Sequence, residues 1–143
     1  MASPRNHLPV GEHRELVLVD NLTRTQIVQY AGASGDFNPL HTDEVYATQA
    51  AGFPSVFAHG MLTMGMTARI LTDWVGDGRL LSYKARFVKQ VWPGDTLTAR
   101  AEVIALREID GEPVVDLEVV TRNQNGEEVL NGTATARIGE GVI

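Results

Sequence analysis

The sequence predicts an α+β domain in which one long apolar helix packs against a curled antiparallel sheet of about five strands. Residues 58–75 are apolar on nearly every helical face, which is typical of a helix surrounded by protein. From Leu81 onward, apolar residues recur at every second position, which is typical of half-buried strands. The chain has 143 residues, a length that suits a single domain spanning residues 1–143.

A short strand and a capped helix are predicted near the start of the chain. Apolar and β-branched residues at positions 16–19 predict the strand. Thr23, followed three positions later by Gln26, is a capping-box pattern that predicts a helix over residues 24–33. This helix is expected to lead the chain directly into the loop at Gly35 and Asp36.

A second short helix is predicted before the long one. Thr42 is expected to cap it, and Asp43 and Glu44 then lie in its first turn, where the helix dipole favours negative charge. Gly52 and Pro54 are expected to end it, because glycine accepts the conformation beyond a helix and proline cannot continue one.

Turn signals divide the second half of the chain into four strands. The strands are expected at residues 81–87, 97–103, 115–119 and 130–138. The turns between them contain Pro93-Gly94, Asp110-Gly111 and Asn125-Gly126, and the last pair is the clearest hairpin signal. The four strands are expected to form an antiparallel meander in sequence order. Such a sheet leaves an edge strand exposed, which favours an oligomer that continues the sheet.

Composition narrows the possible partners and compartment. The net charge of −6, with no run of Lys and Arg, disfavours nucleic acid and anionic membrane as partners. The absence of cysteine excludes disulfides, thiolate nucleophiles and cysteine metal ligands. Residues 1–20 lack the apolar stretch of a signal peptide, and charged residues and glycines interrupt the most apolar segment. The expected location is therefore the cytoplasm.

An acid and an imidazole share one short turn within residues 30–41. Asp36 and His41 are the two kinds of side chain best able to exchange a proton near neutral pH. Gly35 permits close approach of a ligand, and Pro39 disfavours helical dihedrals at Asn38, so the pair is expected on a loop. Asp36 and His41 are the candidate catalytic residues.

The same residues also have purely structural explanations. Aspartate, asparagine and proline are common turn formers, so Asp36 and Asn38 also fit an ordinary polar turn. His59 fits equally a helix-start histidine that hydrogen-bonds a carbonyl, and it is left outside the catalytic set. No metal is predicted, because no ligand spacing such as His-Glu-x-x-His occurs in the sequence.

With these residues identified, the sequence resembles the MaoC-like dehydratases of hot-dog fold, which include the (R)-specific enoyl-CoA hydratases. The family motif is an aromatic residue, a short spacer of small residues, Ser-Gly-Asp-x-Asn-Pro-aliphatic-His, and a small residue six positions later. The matching residues are Tyr30, Ser34-Gly35-Asp36-Phe37-Asn38-Pro39-Leu40-His41 and Ala47. The similarity continues through Ala58-His59-Gly60-Met61, Arg86-Phe87 and Pro93-Gly94-Asp95, and covers most of the chain from about Leu16.

The resemblance implies a single hot-dog domain that reversibly hydrates trans-2-enoyl thioesters to (R)-3-hydroxyacyl thioesters. Asp36 and His41 would jointly activate the water, as in the family. The Gly60 amide at the start of the long helix would bind the thioester oxygen, and Asn38 would fix the loop or the water. The resemblance implies no cofactor. It implies a CoA or acyl-carrier-protein thioester as substrate, and a homodimer or a heterodimer with another hot-dog subunit.

Three alternatives remain at this stage. The family also contains heterodimeric 3-hydroxyacyl-carrier-protein dehydratases of fatty-acid elongation, of which this chain would be the catalytic subunit. A hot-dog acyl-CoA thioesterase and a non-catalytic acyl-thioester binding module are the others, and the intact Asp36–His41 pair weighs against both. Lys84, Arg86 and Lys89 fit a solvated strand face, with contact to the phosphates of CoA or phosphopantetheine as the alternative.

Overall fold

The computed structural model describes residues 8–138, which form five strands and three α-helices. The strands are β1 (His13–Val19), β2 (Leu80–Phe87), β3 (Leu97–Ile109), β4 (Glu112–Arg122) and β5 (Glu128–Arg137). The α-helices are α1 (Arg24–Ser34), α2 (Pro39–Thr42) and α3 (Gly60–Val75), and a π-helical turn covers Tyr46–Ala50. Every strand and helix predicted from periodicity is present, although β1, β3 and β4 are longer than predicted and α3 begins at Gly60 rather than at residue 58.

The sheet is antiparallel with strand order β1-β3-β4-β5-β2. The predicted meander of four consecutive strands is therefore wrong for β2. Strands β3, β4 and β5 do follow one another, but β2 pairs with β5 at the far edge, where Ala85 faces Gly132. The connection between β2 and β3 consequently crosses to the other side of the sheet, a topology that alternation of apolar residues does not specify.

Two predicted turns are confirmed by backbone geometry. Asp110 and Gly111 have φ values of 51° and 79°, as a two-residue hairpin turn requires, and they join β3 to β4. Asn123 and Glu127 close the loop that holds Asn125-Gly126, through a backbone hydrogen bond of 2.9 Å. These two hairpins fix the register of the three central strands.

The predicted capping box of α1 is confirmed. The Thr23 hydroxyl accepts from the Gln26 N–H at 3.0 Å, and the Gln26 side chain accepts from the Thr23 N–H at 2.9 Å. The predicted cap at Thr42 is wrong, because Asn38 caps α2 and Asp43 accepts from the N–H of Tyr46 at 3.1 Å. Thr42 instead donates its hydroxyl to the Asn38 carbonyl, since it lies in the last turn of α2 rather than before a helix.

Helix α3 packs one face against the sheet. Its buried residues are Thr63, Thr67, Ile70, Leu71, Trp74 and Val75. The prediction of a helix surrounded by protein holds only for this face, because a single curled sheet covers one side of it. Met61 on the opposite side is 55% exposed. No helix within residues 8–138 is long and apolar enough to cross a bilayer.

Register irregularities in all four strand pairings accompany the curl of the sheet around α3. One of them lies between Val103 and Ala105, in the middle of β3, the longest strand. The result is a helix enclosed on one side by a curled antiparallel sheet, as the hot-dog fold implied by the family resemblance requires. The loop from α1 to the start of α3 lies outside the sheet and carries the candidate site.

Candidate active site

The turn after α1 is built from short-range hydrogen bonds that the sequence specifies. Gly35 ends α1 in the left-handed conformation, with φ of 75°, and its N–H donates to the Ala31 carbonyl at 2.9 Å. One carboxylate oxygen of Asp36 then accepts from the Asn38 N–H at 3.2 Å. The Asn38 side chain accepts in turn from the Leu40 N–H at 3.0 Å, which starts α2 at Pro39. The Asn38 side-chain oxygen therefore shapes this loop.

His41 is held by the segment that leads into α3. Its Nδ1 lies 2.6 Å from the carbonyl oxygen of Phe57. A carbonyl oxygen only accepts, so Nδ1 carries the proton and Nε2 is left with a free lone pair. The Phe57 N–H donates to the Leu40 carbonyl at 3.2 Å, which ties the two segments together from the other side. His41 thus presents the nitrogen that can take a proton from a bound water.

His59 is the functional candidate that sequence reasoning left out of the set. Its side chain is buried, and its Nε2 lies 2.9 Å from the backbone carbonyl of Asp36. Its ring stacks on that of His41, with centroids 3.9 Å apart and planes 26° apart. The Tyr30 and His59 rings form a T-shaped pair, with 4.8 Å between centroids. The one sequence signal that could have indicated a role for His59 is its position directly before a glycine at the predicted start of the long helix.

Asp36, His41 and His59 converge in space. One nitrogen or carboxylate oxygen from each lies within 4.8 Å of the others. The Asp36 carboxylate is exposed, whereas His41 is half-buried. The structure therefore brings the two predicted catalytic side chains to one spot, at the border between solvent and the protein interior.

The same three groups are poorly arranged for a metal ion. Stacked imidazoles direct the lone pairs of their ring nitrogens along nearly parallel planes rather than towards one centre. Each ring also commits one nitrogen to a backbone carbonyl, and the Nδ1 of His59 is buried from solvent. The geometry favours proton transfer over metal binding.

A cavity of about 260 Å³ lies at the start of α3, and its lining includes Phe57, whose ring contacts that of His41. The lining also includes Gly60, Thr63, Phe87, Val91 and Val129. Gly60 is the first residue of α3, where backbone N–H groups have no acceptor four residues earlier in the helix. The positive end of the helix dipole at Gly60 therefore faces a largely apolar space.

Of the three predicted basic residues, two lie on β2 and one lies in the segment after it. Lys89 lines the cavity and forms an ion pair with Glu127. The hydrogen bond from Lys89 is the main cause that lowers the pKa of the Glu127 carboxyl. Lys84 and Arg86 are exposed along β2, as expected of a solvated strand face. Lys89 is thus the one of the three predicted basic residues that borders the cavity.

The curled sheet, the enclosed helix and an acid–imidazole turn at the helix start define a hot-dog protein with a site suited to proton transfer. A model of the MaoC like domain family matches residues 5–125, and the chain belongs to this family. The motif from Tyr30 to Ala47 that suggested the family lies wholly within the match.

Individual relatives are consistent with this assignment. The chain is 33% identical over 115 residues to the (R)-specific enoyl-CoA hydratase of Aeromonas caviae, a match that covers 79% of this chain and 84% of the relative. A solved R-hydratase from Pseudomonas aeruginosa superposes with a TM-score of 0.81 at 31% identity, covering 96% of this chain and 86% of that one.

Other relatives are much longer proteins. The chain is 43% identical over 83 residues to the 3-hydroxyacyl-thioester dehydratase Y of Mycobacterium tuberculosis, which covers 56% of this chain but 29% of that protein. The chain therefore spans less than a third of the length of this relative.

Proposed function

We propose that this protein hydrates trans-2-enoyl thioesters to (R)-3-hydroxyacyl thioesters and catalyses the reverse dehydration. The observation that carries the proposal is the convergence of Asp36 and His41 within 4.8 Å. They lie next to a cavity that begins at Gly60. The similarity to (R)-specific enoyl-CoA hydratases over most of the chain supports the same reaction.

In the proposed mechanism, Asp36 and His41 hold one water between them. His41 Nε2 accepts a proton from the water as its oxygen adds to Cβ of the enoyl thioester, and the Asp36 carboxylate accepts a hydrogen bond from the remaining O–H. The proton lost by the water is delivered to Cα. Atoms and charge balance, and both side chains return to their starting protonation states. The hydrogen bond from His41 Nδ1 to the Phe57 carbonyl supports the tautomer that this step needs.

Negative charge develops on the thioester oxygen when water adds. The backbone N–H of Gly60 is the proposed donor to that oxygen, because it lies at the positive end of α3 and borders the cavity. Asn38 contributes by fixing the loop: an amide does not titrate, and its side-chain oxygen caps α2. Neither residue exchanges a proton in this scheme.

The substrate is proposed to be a CoA or acyl-carrier-protein thioester with its acyl chain in the cavity. Crotonyl-CoA and the corresponding carrier-protein thioester, compared at equal concentration, identify the preferred carrier by kcat/KM. Lys89, which is part of the cavity lining, is the basic residue best placed for a phosphate of either carrier. A cytoplasmic location belongs to the proposal and is compatible with a sequence that has no cysteine to form disulfides.

We also propose that the active form is a dimer. Strand β2 is an edge strand, and Leu81 and Phe87 expose large apolar side chains along it. Light scattering on the purified chain distinguishes the outcomes: a mass of two chains supports a homodimer. Co-purification with a second hot-dog chain, together with inactivity alone, supports a heterodimeric dehydratase.

The reaction is tested by following the loss of crotonyl-CoA through its enone absorbance, with product configuration determined by chiral analysis. Wild type should form (R)-3-hydroxybutyryl-CoA, and Asp36→Ala and His41→Ala should both be strongly impaired. Asp77→Ala and His13→Ala, which change exposed residues away from the site, should leave the rate unchanged. Undiminished activity in both site variants would contradict the assignment.

The same assay distinguishes the alternative functions. Release of free thiol without hydration would identify a thioesterase. Binding of the thioester without turnover would identify a binding module.

A further inference from the structure

We propose that His59 is the positioning residue that sets both members of the Asp36–His41 pair, through one hydrogen bond and one ring stack. It contacts the two residues differently: its Nε2 meets the Asp36 backbone carbonyl at 2.9 Å, and its ring covers that of His41 at 3.9 Å. This inference rests on the proposed function and adds to it a third residue that acts through the other two.

The hydrogen bond defines the tautomer of His59. Because the Asp36 carbonyl only accepts, the proton of the His59 ring lies on Nε2. His41 has the opposite tautomer, with its proton on Nδ1 facing the Phe57 carbonyl. A hydrogen bond to a backbone carbonyl therefore fixes the tautomer of each stacked ring. His41 Nε2 remains available to the water that adds to the substrate.

The Asp36 end of the turn depends on this bond. Asp36 is exposed, and the neighbouring hydrogen bonds of the turn come from residues within two positions, Ser34 and Asn38. The bond from His59 joins the turn to a segment 23 residues later in the chain. It thereby ties the Asp36 backbone to the protein interior.

The His41 end depends on the ring stack. His41 lies between His59 on its face and Phe57 on its edge, with the Phe57 centroid at 5.1 Å and an interplanar angle of 82°. His59 is in turn steadied by Tyr30, whose ring lies edge-on to it. These contacts restrict rotation of the His41 imidazole about its side-chain torsions.

His59 also fixes the distance to the proposed oxyanion donor. It is the N-cap residue of α3, directly before Gly60, and its carbonyl accepts from the N–H groups of Leu62 and Thr63 at 3.1 and 3.4 Å. One residue therefore joins the Asp36 turn, the His41 ring and the first turn of α3.

Direct participation in proton transfer is disfavoured for His59. Its Nδ1 is buried and has no hydrogen-bond partner among residues 8–138, and its Nε2 is occupied by the Asp36 carbonyl. The free nitrogen therefore faces neither solvent nor a proton donor in the described structure. Positioning explains the contacts of this ring better than catalysis does.

Two substitutions separate the hydrogen bond from the stack. His59→Phe keeps an aromatic ring over His41 but removes the N–H, whereas His59→Gln keeps a donor near the Nε2 position but removes the ring. With crotonyl-CoA, His59→Phe should lower kcat about 10²-fold and change KM by less than about threefold, because misplacement of reacting groups affects turnover. The kcat of His59→Gln should be higher than that of His59→Phe by about fivefold or more. His13→Phe on exposed β1 is the matched control and should behave as wild type.

A readout independent of activity tests the same proposal. Two-bond ¹H–¹⁵N spectra of the imidazoles should show the Nε2–H tautomer for His59 and the Nδ1–H tautomer for His41 in wild type. In His59→Phe, exchange of the Asn38 amide, which donates to the Asp36 carboxylate, should accelerate while that of β4 does not change. Circular dichroism confirms that each variant is folded.

The outcomes distinguish the two proposals. If wild type does not hydrate crotonyl-CoA or its carrier-protein thioester, the proposed function fails and the spectra alone test His59. If wild type is active but folded His59→Phe retains its kcat, or if His59 shows the Nδ1–H tautomer, the positioning role is overturned.

Discussion

The Cα of Gly60 lies directly against the ring of Phe87. A Cβ built on Gly60 would meet Cδ2 and Cε2 of that ring at 2.6 Å, closer than a real methyl group approaches a carbon atom. The first residue of α3 and the last residue of β2 therefore touch across the cavity wall. Glycine at this position lets the Phe87 ring pack directly against the start of α3.

Gly60→Ala should reduce both stability and turnover. The Phe87 ring must rotate to make room for the added methyl group, which costs about 1–3 kcal/mol of unfolding free energy. Because the displaced ring lines the cavity, kcat/KM for crotonyl-CoA should fall by about tenfold or more. A tenfold loss corresponds to about 1.4 kcal/mol of transition-state stabilisation. Urea unfolding and the hydration assay measure the two effects.

Gly32→Ala is the matched control for this prediction. Gly32 is exposed within α1, and among the described residues its Cβ would meet nothing within 4 Å beyond its chain neighbours and the adjacent helix backbone. Replacement of a helix-interior glycine by alanine should stabilise the fold by about 0.5–1 kcal/mol. Equal stability changes in the two variants would show that Gly60 and Phe87 are not in contact as described.

The Asp116–Arg107 pair should make stability depend on pH. Hydrogen bonds from Arg107, at 2.7 and 3.2 Å, are the main cause that lowers the pKa of the Asp116 carboxyl, and Thr135 donates to the same group at 2.6 Å. A carboxyl whose folded pKa is depressed stabilises the fold above its unfolded pKa of about 3.9. That stabilisation is lost as pH falls through the lower folded value.

Asp116→Asn should therefore be less stable than wild type at pH 7, and the difference should vanish at strongly acidic pH. Denaturant unfolding between pH 7 and pH 2 measures it, with Asp77→Asn at an exposed turn as the control. The pair lies on the sheet away from the candidate site, so hydratase activity should not change. A stability difference independent of pH would contradict this account.

Burial raises the pKa of the Tyr83 hydroxyl to about 12. The hydroxyl donates to the Met64 carbonyl at 2.9 Å, which joins β2 to α3. Since the folded pKa exceeds the ordinary tyrosine pKa of about 10, the fold favours the neutral phenol, and stability should decline as pH rises from about 10 through 12.

Tyr83→Phe should abolish this alkaline decline. At pH 7 the variant should lose about 1 kcal/mol through the missing hydrogen bond. Absorbance at the phenolate band, measured as wild type minus variant, should show the Tyr83 transition near pH 12 while the protein is folded. A transition near pH 10 in folded protein would show that the hydroxyl is not buried against α3.

Features fixed by neighbouring residues are predictable from the sequence. The Thr23–Gln26 capping box and the Asp110-Gly111 turn each depend on residues only a few positions apart, and both are present. The backbone of the Asp36–His41 turn belongs to the same class, since two of its hydrogen bonds, from Asn38 to Asp36 and from Leu40 to Asn38, join residues two positions apart. Where several cap-forming residues follow one another, as at Asn38, Thr42 and Asp43, the sequence does not distinguish which one caps.

Features that depend on long-range packing are not predictable in this way. The alternation of residues in β2 predicts a half-buried strand but not which strand is its neighbour, and it places Leu81 and Phe87 inward although both are exposed. The pairing with β5 depends on Gly132, where a side chain would overlap the carbonyl of Lys84. The role of His59 likewise depends on the chain returning to Asp36 over 23 residues, and a single histidine carries no spacing that indicates this.

The central claim is that Asp36 and His41 act on one water. It is tested most directly by kcat/KM for crotonyl-CoA in wild type, Asp36→Asn, His41→Asn and the double variant. Each single variant should lose about 10²–10⁴-fold. The double variant should lose little more than the worse single one, because removing either group already disables the shared water. A double loss equal to the product of the two single losses, or full activity in either single variant, would contradict the claim.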